Sequence, residues 1–501
     1  MTPNSKTPRF PFPKPSSALV ASALSGHRAL GVVLAGLVYI LSVSGVLSVF
    51  NHELQRWEQP GAPAVTTIDP EAVQRASETL LAQENTTHFY VQLPTWDLPR
   101  AVLTTDTKAV FMNPDGTLAG AESHPWTQFV LDLHYYLTVP GTAGLTLVGM
   151  LGVLVFALTL SGLLSHPKIF RDAFRFRFGG QPRLTQADIH NRLGVWTAPF
   201  VLSSALTGAM LGLAAVISAG VATLDYGGDV EAVYEPVFGA EPAENEAPAP
   251  LANIGAALRF MASEHPDKDP TYVLMHEPKT EGQHLQILAE HPERLIFGDY
   301  YGFDAEGSYR GNVGMSDGTG GQQVAASVYR LHFGSFGGLP IKLAYAVFGI
   351  SLAFMICAGM NIYFIRREQR RGKSVALRQA WAGVVWGTPI ALTFCLLGSL
   401  VMPGLPLNVV FWAVLASVTA AAVTLRRPGV AGKLMSSMLG IGLALVALPR
   451  LVGLSGEMPE PATMCFHLAL LAAAGLLLIG GRKLGVGFTP RRTASMSPPA
   501  E

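Results

Sequence analysis

The sequence predicts a polytopic α-helical membrane protein of about eight transmembrane helices, with two small α+β modules on one side and spans one to four forming an internal parallel repeat. Three observations predict it. Apolar blocks such as Leu30–Phe50, Leu145–Leu164 and Ile341–Phe364 reach the ~20 residues needed to cross a bilayer core of ~30 Å. Lysine and arginine gather in alternate connections between those blocks. A histidine-centred pattern in the first helix of each hydrophilic unit occurs twice.

The eight expected spans are 28–50, 141–165, 191–217, 340–365, 380–401, 406–425, 434–449 and 462–481. Hydrophobic residues make up 49% of the 501 and charged residues only 14%, which sets the class more firmly than length does. The formal net charge is zero, so nothing points to nucleic acid as a partner. Lys6, Arg9 and Lys14 precede the first apolar block, but that block is long and lacks a small-x-small cleavage site, so an uncleaved first helix is expected. Arg171, Arg175 and Arg183, then Arg366, Arg370 and Lys373, then Arg426, Arg427 and Lys433, then Arg482 and Lys483 all fall on the N-terminal side of eight spans. The positive-inside rule therefore expects both termini in the cytoplasm: residues 1–27 at one end, 482–501 at the other, with loops 166–189 and 366–379 between.

Two long hydrophilic segments then lie outside, 51–130 and 218–330. In the first, Thr67 and Asp69-Pro70 signal a helix start, with the helix running to about Gln83. Strands are expected at 88–93, 100–105 and 108–112, followed by an Asn113-Pro-Asp-Gly turn. In the second, an acidic Ala/Pro-rich linker (Glu241–Pro250) precedes a helix near 251–264. Strands at 271–276, 284–289 and 295–300 follow, ending in Phe303-Asp-Ala-Glu-Gly. Segments 131–165 and 331–365 hold spans two and four with their outer approaches, and 380–481 reads as an appended four-helix bundle.

The duplication is specific. From His27 and from His190, positions +3 (Leu), +4 (Gly31, Gly194), +5 (Val), +8 (Ala), +11 (Val) and +18 (Gly45, Gly208) are identical, and +17 is Ser44 or Thr207. Leu133-His134-Tyr135 matches Leu331-His332-Phe333, with Gly162 and Gly359 at nearly equal distances beyond. A unit repeated in one orientation implies a pseudo-twofold axis along the membrane normal. That axis would bring His27 to face His190 near the inner surface and His134 to face His332 near the outer one.

Imidazole is a standard axial ligand of haem iron, and non-covalent haem needs such ligands plus an apolar slot. No Cys-x-x-Cys-His occurs, and Cys357, Cys395 and Cys465 all lie in expected helices, which excludes c-type attachment. Gly31 and Gly194 lie one turn past their histidines on the same helix face, and Gly45 and Gly208 five turns past. Small residues there admit either a neighbouring helix or a flat macrocycle. A lone histidine at a helix end is commonly an interfacial polar group; two matched pairs at opposite faces point to ligation of two haem irons. His27 cannot share an iron with His134, since nearly the whole membrane separates them. His166 is a rival ligand for the inner site, without a counterpart in the repeat. His52 and His467 read as structural, while His88, His124, His265, His276, His284 and His291 read as module surface. Arg28, Arg171 and Arg192 read as ordinary positive-inside residues or partners of haem propionates.

The motifs His27-Arg…Leu-Gly…Ser-Gly, Leu133-His134, His190…Leu-Gly…Thr-Gly and Leu331-His332 resemble the PepSY-associated transmembrane family over about residues 20–370. Among its members, the FoxB-like inner-membrane siderophore reductases are most similar. That resemblance implies two b-type haems in four helices of a bacterial inner membrane, and PepSY-like outer modules that dock a ferric siderophore or other ferric chelate. The electron donor is left open between a quinol, a flavoprotein and a small reductant. It implies a haem-dependent oxidoreductase with no catalytic residues beyond the haem ligands His27, His190, His134 and His332. Two other readings compete: a non-redox membrane anchor whose modules bind peptides or regulate an outer partner, and a transporter. Anchoring gives no reason to duplicate histidines at both faces, and spans one to four lack the intramembrane acids and broken helices that mark transport sites.

Overall fold

The computed structural model describes residues 15–165, 182–239, 245–292, 294–372, 374–425, 428–452 and 461–483. The described residues begin with α1 (Ser17–Ser48) and the short α2 (Asn51–Glu58). It continues through α3 (Pro70–Leu81), β1 (His88–Gln92), β2 (Ala101–Thr104), β3 (Ala109–Met112) and β4 (Leu118–Ala121), then returns through α4 (Pro125–Tyr136) into α5 (Gly141–Leu164). Next come α6 (Pro182–Trp196), α7 (Ala198–Gly212), α8 (Ala214–Asp225) and α9 (Glu231–Phe238). The second half then follows the same order: α10 (Ile254–Glu264), β5 (Asp269–His276), β6 (His284–Glu290), β7 (Asp299–Phe303), β8 (Tyr309–Val313), α11 (Gly320–Phe333) and α12 (Gly338–Arg371). The described residues close with α13 (Val375–Val401), α14 (Leu407–Leu425), α15 (Pro428–Val452) and α16 (Pro461–Lys483).

Six of these helices are long and apolar enough to cross a membrane: α1, α5, α12, α13, α14 and the Val430–Leu448 part of α15. The chain is therefore a multi-pass helical membrane protein, with six such spans, or seven with α6 and α7 taken as one, where the sequence predicts eight. The third expected span is a pair of helices, α6 and α7, bent by 64°. Pro199 sits in the first turn of α7 and has no amide to offer the carbonyl of Val195, so the helix breaks at Thr197. The matching position in α1 is Gly36, and α1 runs unbroken. The apolar part of α16, Met464–Ile479, is shorter than a full span.

The two hydrophilic segments share one antiparallel sheet, in the order β4-β3-β2-β1-β5-β6-β7-β8. Pairing of β1 with β5, with Tyr90 opposite Leu274, joins two modules that the sequence presents as separate. Alternation sorts the faces. Phe89, Val91, Leu103, Val273, Met275 and Ile287 are fully buried with α3 and α10. Asp69 caps α3 by accepting from the Glu71 amide, with Pro70 at the first helical position, as the sequence predicts. β4 and β8 are strands that sequence reasoning missed, and the third strand of the second half lies at Asp299–Phe303 rather than 295–300.

A buried ionic cluster fastens the sheet to the helices. Lys342, near the start of α12 and 4% exposed, donates to Glu53 Oε1 of α2 at 2.8 Å and to Asp97 Oδ2 before β2 at 2.7 Å. His52 Nδ1 lies 3.0 Å from the same Asp97 oxygen. Burial would push the Asp97 carboxyl up, but His52 and Lys342 outweigh it and hold the group well below its usual range. A depressed carboxyl contributes stability that is present above its unfolded value and lost as pH falls through the folded one. Substituting Lys342→Met removes the cation from buried Asp97 and from half-buried Glu53, leaving Asp97 with His52 alone as ionic partner. It is expected to cost about 3–5 kcal/mol, read as a lower thermal midpoint of the purified protein at pH 7, with the deficit shrinking in acid.

Candidate functional site

Each of the four histidines is held by a helix other than its own. His27 of α1 places Nδ1 2.9 Å from the Leu158 carbonyl of α5, and His190 of α6 places Nδ1 2.9 Å from the Met355 carbonyl of α12. On the sheet side, His134 of α4 reaches the Leu41 carbonyl of α1 at 3.0 Å, and His332 of α11 reaches the Ser204 carbonyl of α7 at 3.1 Å. A carbonyl only accepts, so Nδ1 carries the proton in all four rings and Nε2 keeps its lone pair. Hydroxyls stand beside three of the rings: Ser44 and Thr207, at 3.4 and 3.1 Å from the Nδ1 of His134 and His332, and Ser161 at 3.4 Å from that of His27.

The sequence-predicted pairs meet. The ring centres of His27 and His190 are 6.0 Å apart, with an interplanar angle of 68°. Those of His134 and His332 are 6.2 Å apart, at 26°. Burial pushes both His134 and His332 down to about 4, and His332 adds to the effect on His134. Both are neutral at physiological pH.

A glycine backs each ring. A Cβ built on Gly45 would lie 2.7 Å from His134 Cε1, and one on Gly208 2.7 Å from His332 Cε1. For Gly162 against His27 and Gly359 against His190 the distance is 3.1 Å. Gly31 and Gly194 sit elsewhere: their nearest neighbours are the side chains of Leu158 at 3.9 Å and Met355 at 3.5 Å, the residues whose carbonyls hold the inner rings. His166 lies outside the described residues.

A cavity of about 290 Å³ opens at the sheet-side pair. Gly45, Gly152, Ala205, Gly208 and Gly212 are among its small lining residues, and Leu41, Phe200 and Leu352 among its apolar ones. Among the described residues, no three His, Cys, Asp or Glu side chains converge as a metal site. The paired arrangement suits a metal bound from two opposite sides, as in a macrocycle, rather than a compact ion cage. His52 belongs to the Lys342 cluster, and His467 accepts from Trp57 Nε1 at 3.3 Å in a buried contact between α16 and α2. His291 is buried against Asp299 at 2.8 Å, not on the surface as the sequence suggests. The holding carbonyls and hydroxyls were missed by sequence reasoning; only the Ser44/Thr207 match pointed toward them.

The chain has relatives. It is 28% identical over 293 residues to an uncharacterized protein of Pseudomonas aeruginosa, covering 56% of this chain and 74% of that one. Residues 24–367 match the PepSY-associated TM region, a stretch that includes all four histidines, their glycines and the whole sheet. The chain belongs to the PepSY-associated transmembrane family.

Proposed function

We propose that each histidine pair holds one b-type haem, and that the protein passes electrons across the membrane to iron(III) in a siderophore or other ferric chelate on the sheet side. The spacing of the rings carries this reading. Two imidazoles bound through Nε2 to opposite sides of one metal ion, at a metal–nitrogen distance of about 2.0–2.1 Å, have ring centres about 6.3 Å apart. The two pairs stand at 6.0 and 6.2 Å. Each Nδ1–H is used on a carbonyl, which leaves Nε2 as the ligating nitrogen, fixes the ring and raises its basicity.

A haem iron held by two imidazoles carries one electron at a time between its ferric and ferrous states. The chain's own residues do the rest. The four backing glycines let the rings stand against neighbouring helices, and the cavity gives the sheet-side pair a mostly apolar lining. At the acceptor, one electron converts chelated iron(III) to iron(II), whose lower charge suits hard oxygen ligands less well, so the chelate loosens.

Orientation follows from charge. Counting the bent α6–α7 pair and α16 as spans three and eight keeps every lysine and arginine cluster on one side. That side is the cytoplasm of a bacterial inner membrane, with both termini in it, and the sheet faces outward. The duplicated unit then turns about a pseudo-twofold axis between β1 and β5. The inner pair, His27 and His190, would be the place where a quinol, a flavoprotein or a small reductant delivers electrons. The test is the oxidised and reduced visible spectrum of detergent-purified protein with haem quantitation. About two b-type haems per chain are expected; a preparation without a Soret band sinks the reading and leaves a membrane-anchored, non-redox module.

A further inference from the structure

Four helices, α13 to α16, follow the stretch that matches the family. They grip α4, the helix that carries His134. Trp126, in the first turn of α4 and eight residues before His134, is 3% exposed. Its Nε1 donates to the Leu392 carbonyl of α13 at 3.0 Å. Just past the other end of α4, the Thr138 hydroxyl accepts from Trp412 Nε1 of α14 at 2.8 Å. Between these two bonds Phe129 of α4 meets Phe411 of α14, with ring centres 5.7 Å apart. A further contact acts through α2. Phe466 of α16 packs on Trp57 at 5.0 Å, beside the Trp57–His467 hydrogen bond. The next residue, Glu58, accepts from the amides of Trp126 and Thr127 at 2.8 and 2.9 Å and so caps α4.

The bundle is also fastened to the helix that holds the ring. Pro389, inside α13, has no amide for the Val385 carbonyl, and the Tyr39 hydroxyl of α1 donates to that carbonyl at 3.0 Å. Tyr39 stands two residues before Leu41, whose carbonyl holds His134 Nδ1. The other half of the repeat is built differently. The position eight residues before His332 is Val324, 66% exposed, where α4 has its buried tryptophan. Phe336 stands where Thr138 does, and it packs at 6.2 Å on Tyr345 of α12, whose hydroxyl donates to the Leu331 carbonyl. His332 is thus steadied by the span that follows it, and His134 by helices outside the repeat.

We infer that the appended bundle positions His134 toward the sheet-side haem, and that Trp126, Thr138 and Trp412 are the positioning residues through which it acts. The inference rests on the haem reading above. None of the three touches the ring; each fixes the helix that bears it, as outer partners fix a metal ligand. Bonds at both ends of α4 set its height and its rotation, and the Tyr39 bond sets the distance to the Leu41 carbonyl. Loss of one of them frees α4 to tilt, and the imidazole then leaves its place at the pair more often. The His27–His190 pair draws no ligand from α4, so the effect falls on one site alone.

The test is carbon monoxide titration of the dithionite-reduced full-length protein in detergent, with the potential of each haem read by spectroelectrochemistry. The sheet-side component is the one that His134→Ala removes. Thr138→Val deletes one hydrogen bond at constant shape, and Trp126→Phe deletes another. Each is expected to raise the carbon monoxide affinity of the sheet-side haem about fivefold, the size of one hydrogen bond worth ~1 kcal/mol, and to shift its potential. The other haem should not move, and Thr138→Ser, which keeps the hydroxyl, should restore wild-type values. A bundle that only stabilises the fold would lower the thermal midpoint and leave both haems unmoved. That result at native haem content, or equal changes at both haems, overturns the inference. Thr138, half-buried in a turn, keeps it testable if Trp126→Phe loses its native spectrum. Absence of haem from wild type defeats the haem reading itself, and hydrogen exchange then decides the brace. Thr138→Val should speed exchange of the α4 amides about fivefold and leave those of α11 unchanged; equal rates in variant and wild type overturn the inference there too.

Discussion

With one haem at each histidine pair, as proposed above, replacing His134 with alanine is expected to lower the haem content of the purified protein from about two per chain to about one, while His27→Ala removes the other. The two sites take their four ligands from four helices and their holding carbonyls from four, and α1 alone serves both, carrying His27 and offering the Leu41 carbonyl to His134. His134 is carried by α4 and held by the Leu41 carbonyl of α1; its partner His332 is carried by α11 and held by Ser204 of α7. The other pair takes its carbonyls from α5 and α12. Removing the His134 imidazole leaves its site with a single ligand and removes neither a ligand nor a holding carbonyl from the His27–His190 site. The measurement is haem per chain together with the low-temperature reduced spectrum, in which one component should vanish and the other stay at its original wavelength. Loss of both components from a folded His134→Ala protein would falsify the independence of the sites. Retention of both would remove His134 from the ligand set.

The pairing of these histidines was legible in the sequence because duplication converts spacing into geometry. Identical offsets from His27 and His190 placed two rings at one level of two symmetry-related helices, and the matched Leu-His-aromatic triplets did the same for His134 and His332. What holds the rings was not legible. Leu41, Leu158, Ser204 and Met355 contribute backbone carbonyls, which carry no side-chain signature. The fused sheet was hidden for a different reason: β1 and β5 pair across the whole of α4 to α10, and no local pattern announces a partner so remote. Strands β4 (Leu-Ala-Gly-Ala) and β8 (Tyr-Arg-Gly-Asn-Val) carry glycine and little β-branched character, so they fell below notice. The break in the third span had a visible cause, Pro199, overshadowed by the apolar run around it. The segments leading into spans two and four proved to be separate helices. α4 and α11 stop at left-handed residues, Leu137 with φ 49° and Gly334 with φ 66°, before α5 and α12 begin.

The glycines offer the sharpest contrast between what pattern suggests and what packing requires. Gly31, Gly194, Gly45 and Gly208 are all repeated, and periodicity puts each pair on its histidine's helix face. Packing separates them. Alanine at Gly208 would bring Cβ to 2.7 Å from His332 Cε1, well inside contact distance, and the ring has nowhere to retreat because Ser204 and Thr207 hold its Nδ1 edge. Gly45 stands in the same relation to His134, with Leu41 and Ser44 in those places. Relief requires giving up the carbonyl bond or moving a helix, and overpacking of this kind costs about 1–3 kcal/mol. Gly45→Ala and Gly208→Ala are therefore expected to strip or weaken the sheet-side haem about as thoroughly as loss of a ligand, with the other haem retained. At Gly162 and Gly359 the added Cβ would sit at 3.1 Å, so alanine there should perturb the inner spectrum and leave haem bound. Gly31→Ala and Gly194→Ala, whose Cβ atoms would meet only ordinary contacts, should leave both sites unchanged. Haem content and reduced spectra across the six variants order them by this distance. If Gly31→Ala were as damaging as Gly45→Ala, the repeated glycines would be reporting closeness to the macrocycle rather than to the imidazole, and the rings would have to stand differently from where these contacts put them.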